Sequence, residues 1–138
     1  MSDEQVEAPP PEPARGGLAF GVVRLLRPWQ WSKNLLCLAG VFFSGKVFDP
    51  SALAHALGTA AVFSATSSGV YALNDALDRE RDREHPTKRN RPVASGVVAP
   101  GLAYGLAAVL AITGLAGGYA LGRAVALCLA LYLLNNAL

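Results

Sequence analysis

The chain has 138 residues, of which 52% are hydrophobic and 16% are charged, and its formal net charge is +2. Because a typical soluble domain is roughly a quarter charged, this composition argues against an ordinary soluble fold. The small net charge, with basic and acidic residues alternating in sequence, also argues against a nucleic-acid-binding protein.

The N-terminal region divides into a tail and a first apolar segment. Residues 1–17 combine acidic residues, prolines and small residues, which predicts a disordered tail. Two tryptophans among basic residues follow, a combination typical of the membrane–water interface. The uncharged run 34–45 is shorter than the roughly 20 residues that a spanning helix needs, so we expect a first span over about 25–46. This span would draw Lys33 and Asn34 into the bilayer or into a polar cavity, a placement that is usually functional.

Three more apolar stretches predict helices. A turn and N-cap at 49–51 precede a second helix over about 52–78. A third span is expected over about 99–121, and a fourth apolar run occupies 124–138. The fourth run ends about five residues short of a full span, so we expect a fragment or a truncated protein. Two glycine pairs in the third span have the small-xxx-small spacing of closely packed membrane helices: Gly101 with Gly105, and Gly114 with Gly118.

Together these elements predict an all-α fold, a polytopic transmembrane helix bundle with about four spans. Residues 18–138 would form the membrane domain, with a charged loop at 79–98. Basic residues concentrate in this loop and before the first span. By the positive-inside rule, the N-terminus and the loop are expected on the cytoplasmic side of the cell (plasma) membrane.

The segment 74–96, NDALDRERDREHPTKRNRPVASG, holds half of the charged residues of the chain. At 100° per residue, Asp75, Asp78 and Asp82 fall within roughly 60° of one another if the second helix continues, which predicts three carboxylates on one face. A divalent cation would relieve their repulsion at the negative end of the helix dipole. Magnesium is commonly held by one or two carboxylates together with the phosphate oxygens of a substrate, so the pattern favours a diphosphate site.

Three cations follow the carboxylates within a few residues: Lys88, Arg89 and Arg91. Arginine binds phosphate oxygens through a planar fork and lysine binds them as a point charge, so we expect these side chains to contact phosphate groups. The alternative is a non-catalytic membrane protein whose charged loop is solvated, forms internal ion pairs and only sets the topology.

The same residues resemble a known family. NDALD matches the N-D-x-x-D first aspartate-rich motif of the UbiA superfamily of intramembrane prenyltransferases, and KRNRPVASG matches its basic-R-P-x-x-x-G segment. RPWQWSKN and DREHPTKRNRP are most similar to the branch that transfers phosphoribosyl groups to decaprenyl phosphate. The resemblance covers the chain from about Arg24 onwards. It implies a fold of about nine spans, of which this chain would be the N-terminal part, without the family's second aspartate-rich motif.

The resemblance also implies residue roles. Asn74, Asp75 and Asp78 would bind Mg²⁺ and the diphosphate of the donor, and Asp82 would support the same site. The donor would be phosphoribosyl diphosphate and the acceptor a polyprenyl phosphate. In other branches a prenyl diphosphate reacts with an aromatic acceptor, and this alternative stays open. The other residues implied at the site are Lys33, counted as catalytic with Asp75 and Asp78, and the substrate-binding residues Asn34, Lys88, Arg89 and Arg91.

Overall fold

The computed structural model describes residues 17–137. The predicted tail, 1–17, lies outside the described residues except for Gly17. In chain order, the described part of the chain forms α1 (Leu18–Leu26), a 3₁₀ helix (Pro28–Leu38), α2 (Ala39–Phe43), α3 (Pro50–Leu77), α4 (Arg79–Glu84), a short 3₁₀ helix (Lys88–Asn90), α5 (Pro100–Leu121) and α6 (Arg123–Ala137). Residues 17–137 contain no β-strand, so the prediction of an all-α fold is confirmed.

The segment 25–46 does not form one continuous α-helix, and its role as a membrane span stays a prediction. Helix α1 ends because Arg27 adopts a left-handed backbone conformation, with φ 52° and ψ 56°. Pro28 then begins the 3₁₀ helix. Proline lacks an N–H group and fixes its own φ, so it suits a first turn and interrupts a helix that would continue through it. The number of membrane spans therefore stays a prediction.

The second and third predicted helices form as α3 and α5. The side chain of Asp49 accepts hydrogen bonds from the backbone N–H groups of Ser51 and Ala52, at 2.9 and 3.3 Å, which caps the first turn of α3. Pro50 and Pro100 occupy the first turns of α3 and α5. In the described part of the chain, α3 and α5 are the two helices long and apolar enough to cross a membrane, whereas α6 has 15 residues.

Small residues allow α3 and α5 to pack closely. A Cβ atom added to Gly114 would overlap the hydroxyl group of Thr66 on α3, and one added to Gly118 would meet α6. This glycine pair thus lies at helix contacts, as its spacing predicts. The other pair does not, because the positions of a Cβ atom on Gly101 and Gly105 are open.

A buried apolar cluster joins α1, α3, α5 and the segment between α4 and α5. Within that segment, the N–H of Ser95 donates to the carbonyl oxygen of Arg91 at 2.9 Å, and the N–H of Val98 donates to that of Pro92 at 2.9 Å. These bonds close a compact turn that holds Arg91 against α3. The buried apolar cluster that joins this segment to the three helices consists of Leu25, Ala72, Ala76, Val93, Val98, Ala103 and Ala107.

Gly114→Ala is expected to lower the thermal unfolding temperature of the detergent-solubilised protein, because the new methyl group forces α3 and α5 apart at Thr66. Gly105→Ala is the matched control. It adds the same methyl group to the same helix in open space, where alanine favours a helix by roughly 1 kcal/mol over glycine. Equal destabilisation by the two substitutions would contradict this packing.

Candidate functional site

Two acidic side chains are buried where α3 meets α4, at the start of the charged loop. Asp75 and Asp82 are each 1% exposed. They lie about two helical turns apart. Helical hydrogen bonding continues past the end of α3 at Leu77, because the N–H of Asp82 donates to the carbonyl oxygen of Asp78 at 2.8 Å. Buried carboxylates require partners, since an isolated ionised group is costly to remove from water.

Arg91 is the partner that Asp75 and Asp82 share. Its Nη1 atom lies 2.8 Å from Oδ2 of Asp82 and 3.6 Å from Oδ1 of Asp75. The guanidinium group therefore bridges α3, α4 and the loop that follows them. Arg91 was predicted to contact phosphate, and the structure assigns its Nη1 atom to the two carboxylates.

Arg27 is a second cation at Asp75. Its Nη2 atom donates to Oδ1 of Asp75 at 2.9 Å, and its Cζ atom lies 4.9 Å from the ring centroid of Tyr71. The sequence identified Arg27 only as an interfacial basic residue. Its contact with Asp75 joins residues 48 positions apart, and the one local signal was an arginine directly before Pro28.

The expected cluster of three carboxylates on one face does not form. Asp78 is 35% exposed and pairs with Nη2 of Arg81 at 2.6 Å. Asp78 directly follows the last residue of α3, with φ −84° and ψ 0°. Its partial exposure and its ion pair with Arg81 separate it from the buried pair of Asp75 and Asp82. Residues 17–137 hold no group of three His, Cys, Asp or Glu side chains placed to bind a metal ion.

The two buried carboxylates fit part of a magnesium site. Oδ2 of Asp75 and Oδ1 of Asp82 are buried and make no hydrogen bond within the described residues. Buried polar atoms nearly always have a partner, so two unpartnered acceptor oxygens favour a cationic ligand. Magnesium needs only one or two protein carboxylates when substrate phosphates complete its coordination. The residues present are compatible with such a substrate-completed site.

Three other predicted site residues surround this network without joining its ion pairs. Asn74 is exposed on α3, directly before Asp75. Lys88 and Arg89 are exposed on the short 3₁₀ helix that ends next to Arg91. They remain candidates for contacts with phosphate, and their role stays a prediction.

Lys33 and Asn34 are not brought to the aspartates. The Nδ2 atom of Asn34 donates to Oγ of Ser64 at 3.1 Å. Ser64 lies about 16 Å from Asp75 along the axis of α3. Lys33 is exposed and lines an open cavity of about 630 Å³. The other side chains lining this cavity include Leu35, Leu36, Phe42 and Phe43. Neither Asp75 nor Asp82 lines this cavity, so a cavity that Lys33 shares with the aspartates stays a prediction.

Two linked hydrogen bonds at Ser68 hold the 3₁₀ helix, Pro28–Leu38, against α3. Nε1 of Trp31 donates to Oγ of Ser68 at 2.9 Å, and the same hydroxyl group donates to the carbonyl oxygen of Leu26 at 2.7 Å. Ser68 thus ties both the end of α1 and the 3₁₀ helix to α3. These contacts hold Arg27 beside Asp75 and direct the residues after Trp31 away from it.

Comparison with known proteins supports one family. Residues 34–136 match the UbiA prenyltransferase family. A decaprenyl-phosphate phosphoribosyltransferase of Mycobacterium tuberculosis (strain ATCC 25618 / H37Rv) is 44% identical over 137 residues, which are 96% of this chain and 44% of the relative. Its namesake in Mycolicibacterium smegmatis is 41% identical over 138 residues, 96% of this chain and 42% of the relative. A 4-hydroxybenzoate octaprenyltransferase of Paracidovorax citrulli is 34% identical over 103 residues, 75% of this chain and 35% of the relative.

The family match covers most of the chain and agrees with the all-helical fold. The chain belongs to the UbiA prenyltransferase family, a family of membrane-embedded proteins. The resemblance inferred from NDALD and KRNRPVASG is thereby confirmed. The chain spans 44% and 42% of the length of the two mycobacterial relatives.

Arg91→Met is expected to destabilise the protein by about 3–5 kcal/mol, because it leaves the buried carboxylate of Asp82 without a cation. Arg89→Met is the matched control, since Arg89 is an exposed arginine two residues away. Thermal unfolding in detergent compares the two. The shared-cation arrangement is wrong if both variants unfold at the same temperature.

Proposed function

We propose that the chain contributes the first aspartate-rich half of the active site of a magnesium-dependent transferase of the UbiA type. The reaction would move a phosphoribosyl group from phosphoribosyl diphosphate to a polyprenyl phosphate. The observation that carries this proposal is the pair of unpartnered, buried carboxylate oxygens on Asp75 and Asp82. Asp75 lies in the NDALD motif and Asp82 follows the motif by four residues.

The choice of substrates rests on the relatives. Those that are 41–44% identical over 96% of this chain are named decaprenyl-phosphate phosphoribosyltransferases. The segments RPWQWSKN and DREHPTKRNRP also support this branch. The membrane-embedded family and the two apolar helices α3 and α5 agree with a lipid acceptor.

In this reaction the bond between the anomeric carbon of ribose and the diphosphate breaks, and the diphosphate leaves with the electron pair. A phosphate oxygen of the lipid forms the new bond to the same carbon. This oxygen is already ionised, so the chain need not supply a base. Bound magnesium would neutralise the charge that develops on the departing diphosphate.

The chain's own residues would bind and orient the donor. Asp75 would hold magnesium through Oδ2, and Asp78 and Asn74 would complete the protein's share of the metal and diphosphate contacts. Asp82 would keep Arg91 in place. The exposed Lys88 and Arg89 would contact phosphate groups, where fixed cations stabilise charge in the transition state.

We further propose that the N-terminus and the charged loop face the cytoplasm across the plasma membrane, as the basic residues of the loop indicate. On this side the loop would meet a soluble, anionic sugar diphosphate. The lipid acceptor would approach from the bilayer. Asp75 lies two residues before the end of α3, next to the charged loop, and this agrees with a site that receives both substrates.

Asp75→Asn and Asp78→Asn should each abolish transfer without changing membrane insertion, because each removes a charged ligand from the metal and diphosphate. Glu84→Gln, an exposed neutralisation in the same loop, should retain activity. The assay offers labelled phosphoribosyl diphosphate to membranes that contain the full protein as it occurs in its cell, with added polyprenyl phosphate. The readout is labelled lipid.

The same assay separates the alternatives. Transfer from a prenyl diphosphate to an aromatic acceptor, with none from phosphoribosyl diphosphate, would favour the activity named for the relative from Paracidovorax citrulli. Full activity in both aspartate variants would refute the proposed metal site. A non-catalytic protein with a topology-setting loop would give neither product and no magnesium-dependent binding of diphosphate in titration calorimetry.

A further inference from the structure

Arg27 has a backbone conformation that requires an explanation. In the described chain it is the one non-glycine residue with a positive φ, at 52°. This region is unfavourable for L-residues because Cβ approaches the carbonyl oxygen, and such a conformation persists where surrounding contacts determine it. The conformation ends α1 and turns the side chain of Arg27 towards α3.

The guanidinium group of Arg27 is held on two sides. It lies over the ring of Tyr71, 4.9 Å from Cζ to the ring centroid, and it donates to Oδ1 of Asp75 at 2.9 Å. Tyr71 precedes Asp75 by one helical turn, so both contacts come from the same face of α3. A planar cation that stacks on a ring and binds a carboxylate has little freedom to rotate.

The two carboxylate oxygens of Asp75 differ in their hydrogen-bond partners. Oδ1 is bound by Arg27 and lies 3.6 Å from Nη1 of Arg91. Oδ2 is buried and makes no hydrogen bond within residues 17–137. Because both cations are on Oδ1, they fix the plane of the carboxylate and leave Oδ2 free for a ligand.

We propose that Arg27 is a positioning residue that orients Asp75 for a divalent cation and does not itself bind phosphate. This inference rests on the proposed function of the same site. Residues that hydrogen-bond to a metal ligand fix its orientation, and their loss commonly weakens metal binding 10–100-fold. Tyr71 contributes by holding the guanidinium group in place.

Whether substitution of Arg27 lowers or raises the affinity for Mn²⁺ tests its positioning role. Mn²⁺ alone is titrated into the purified full-length protein, and bound Mn²⁺ is measured by electron paramagnetic resonance. Arg27→Lys keeps the charge and loses the planar fork, and Arg27→Gln loses the charge. A positioning role predicts weaker Mn²⁺ binding in both variants, by roughly 10–100-fold. If Arg27 acts only through its charge, Arg27→Gln should bind Mn²⁺ more tightly, because a repelling cation is removed.

Matched variants complete the design. Arg123→Lys and Arg123→Gln alter an exposed arginine at the start of α6 and should leave Mn²⁺ affinity unchanged. Tyr71→Phe keeps the ring and should match the wild type, whereas Tyr71→Leu should weaken binding. If the Arg27 variants do not fold, the difference in Mn²⁺ affinity between Tyr71→Phe and Tyr71→Leu tests the inference.

Two outcomes overturn the inference in distinguishable ways. If the wild type binds Mn²⁺ and transfers phosphoribosyl groups while the Arg27 variants match the Arg123 controls, Arg27 has no positioning role and the proposed function stands. A higher donor KM in Arg27→Lys with unchanged Mn²⁺ affinity would make Arg27 a phosphate ligand and also refute the inference. If the wild type neither binds Mn²⁺ nor transfers the group, the proposed function itself is wrong.

Discussion

The structure depends on the burial of two carboxylates that share one guanidinium group. Asp75 and Asp82 are almost fully removed from solvent, and Arg91 binds both of them. Burying unpaired charges would be costly, so the loop that carries Arg91 has to fold back against α3. The apolar cluster around Val93 and Val98 packs where this loop contacts α1 and α5. The charge pairing and the apolar packing therefore determine the same loop conformation.

The network also explains how a polar site can exist in a chain this apolar. Hydroxyl groups along α3 donate to backbone carbonyl oxygens: Thr66 donates to that of Val62 at 2.8 Å, and Ser68 donates to that of Leu26 at 2.7 Å. The carboxylates at the end of α3 are different, because each keeps one buried oxygen without a hydrogen bond. Such oxygens lose the hydration they would have in water and gain from a bound cation. The polar site is thus confined to the end of α3 and the adjoining loop.

The sequence was most informative where the signals were local. The turn and N-cap at 49–51 and the apolar run over 99–121 located α3 and α5, and the aspartate motif identified the family. The left-handed Arg27 was not predictable, because its conformation depends on a carboxylate 48 residues away. Helical spacing alone did not reveal that Asp78 is partly exposed and pairs with Arg81, whereas Asp75 and Asp82 are buried. The separation of Lys33 from the aspartates follows from the interrupted first helix, which a count of apolar residues does not reveal.

A double-mutant cycle between Asp82 and Arg91 tests the shared-cation arrangement most directly. Free energies of unfolding would be measured in detergent for Asp82→Asn, Arg91→Gln and the double variant. If the two side chains form a buried pair, either single change leaves a charge unpaired, and the double change removes both charges. The loss in the double variant should then be smaller than the sum of the single losses by about 0.5–3 kcal/mol. Additive losses would contradict the account.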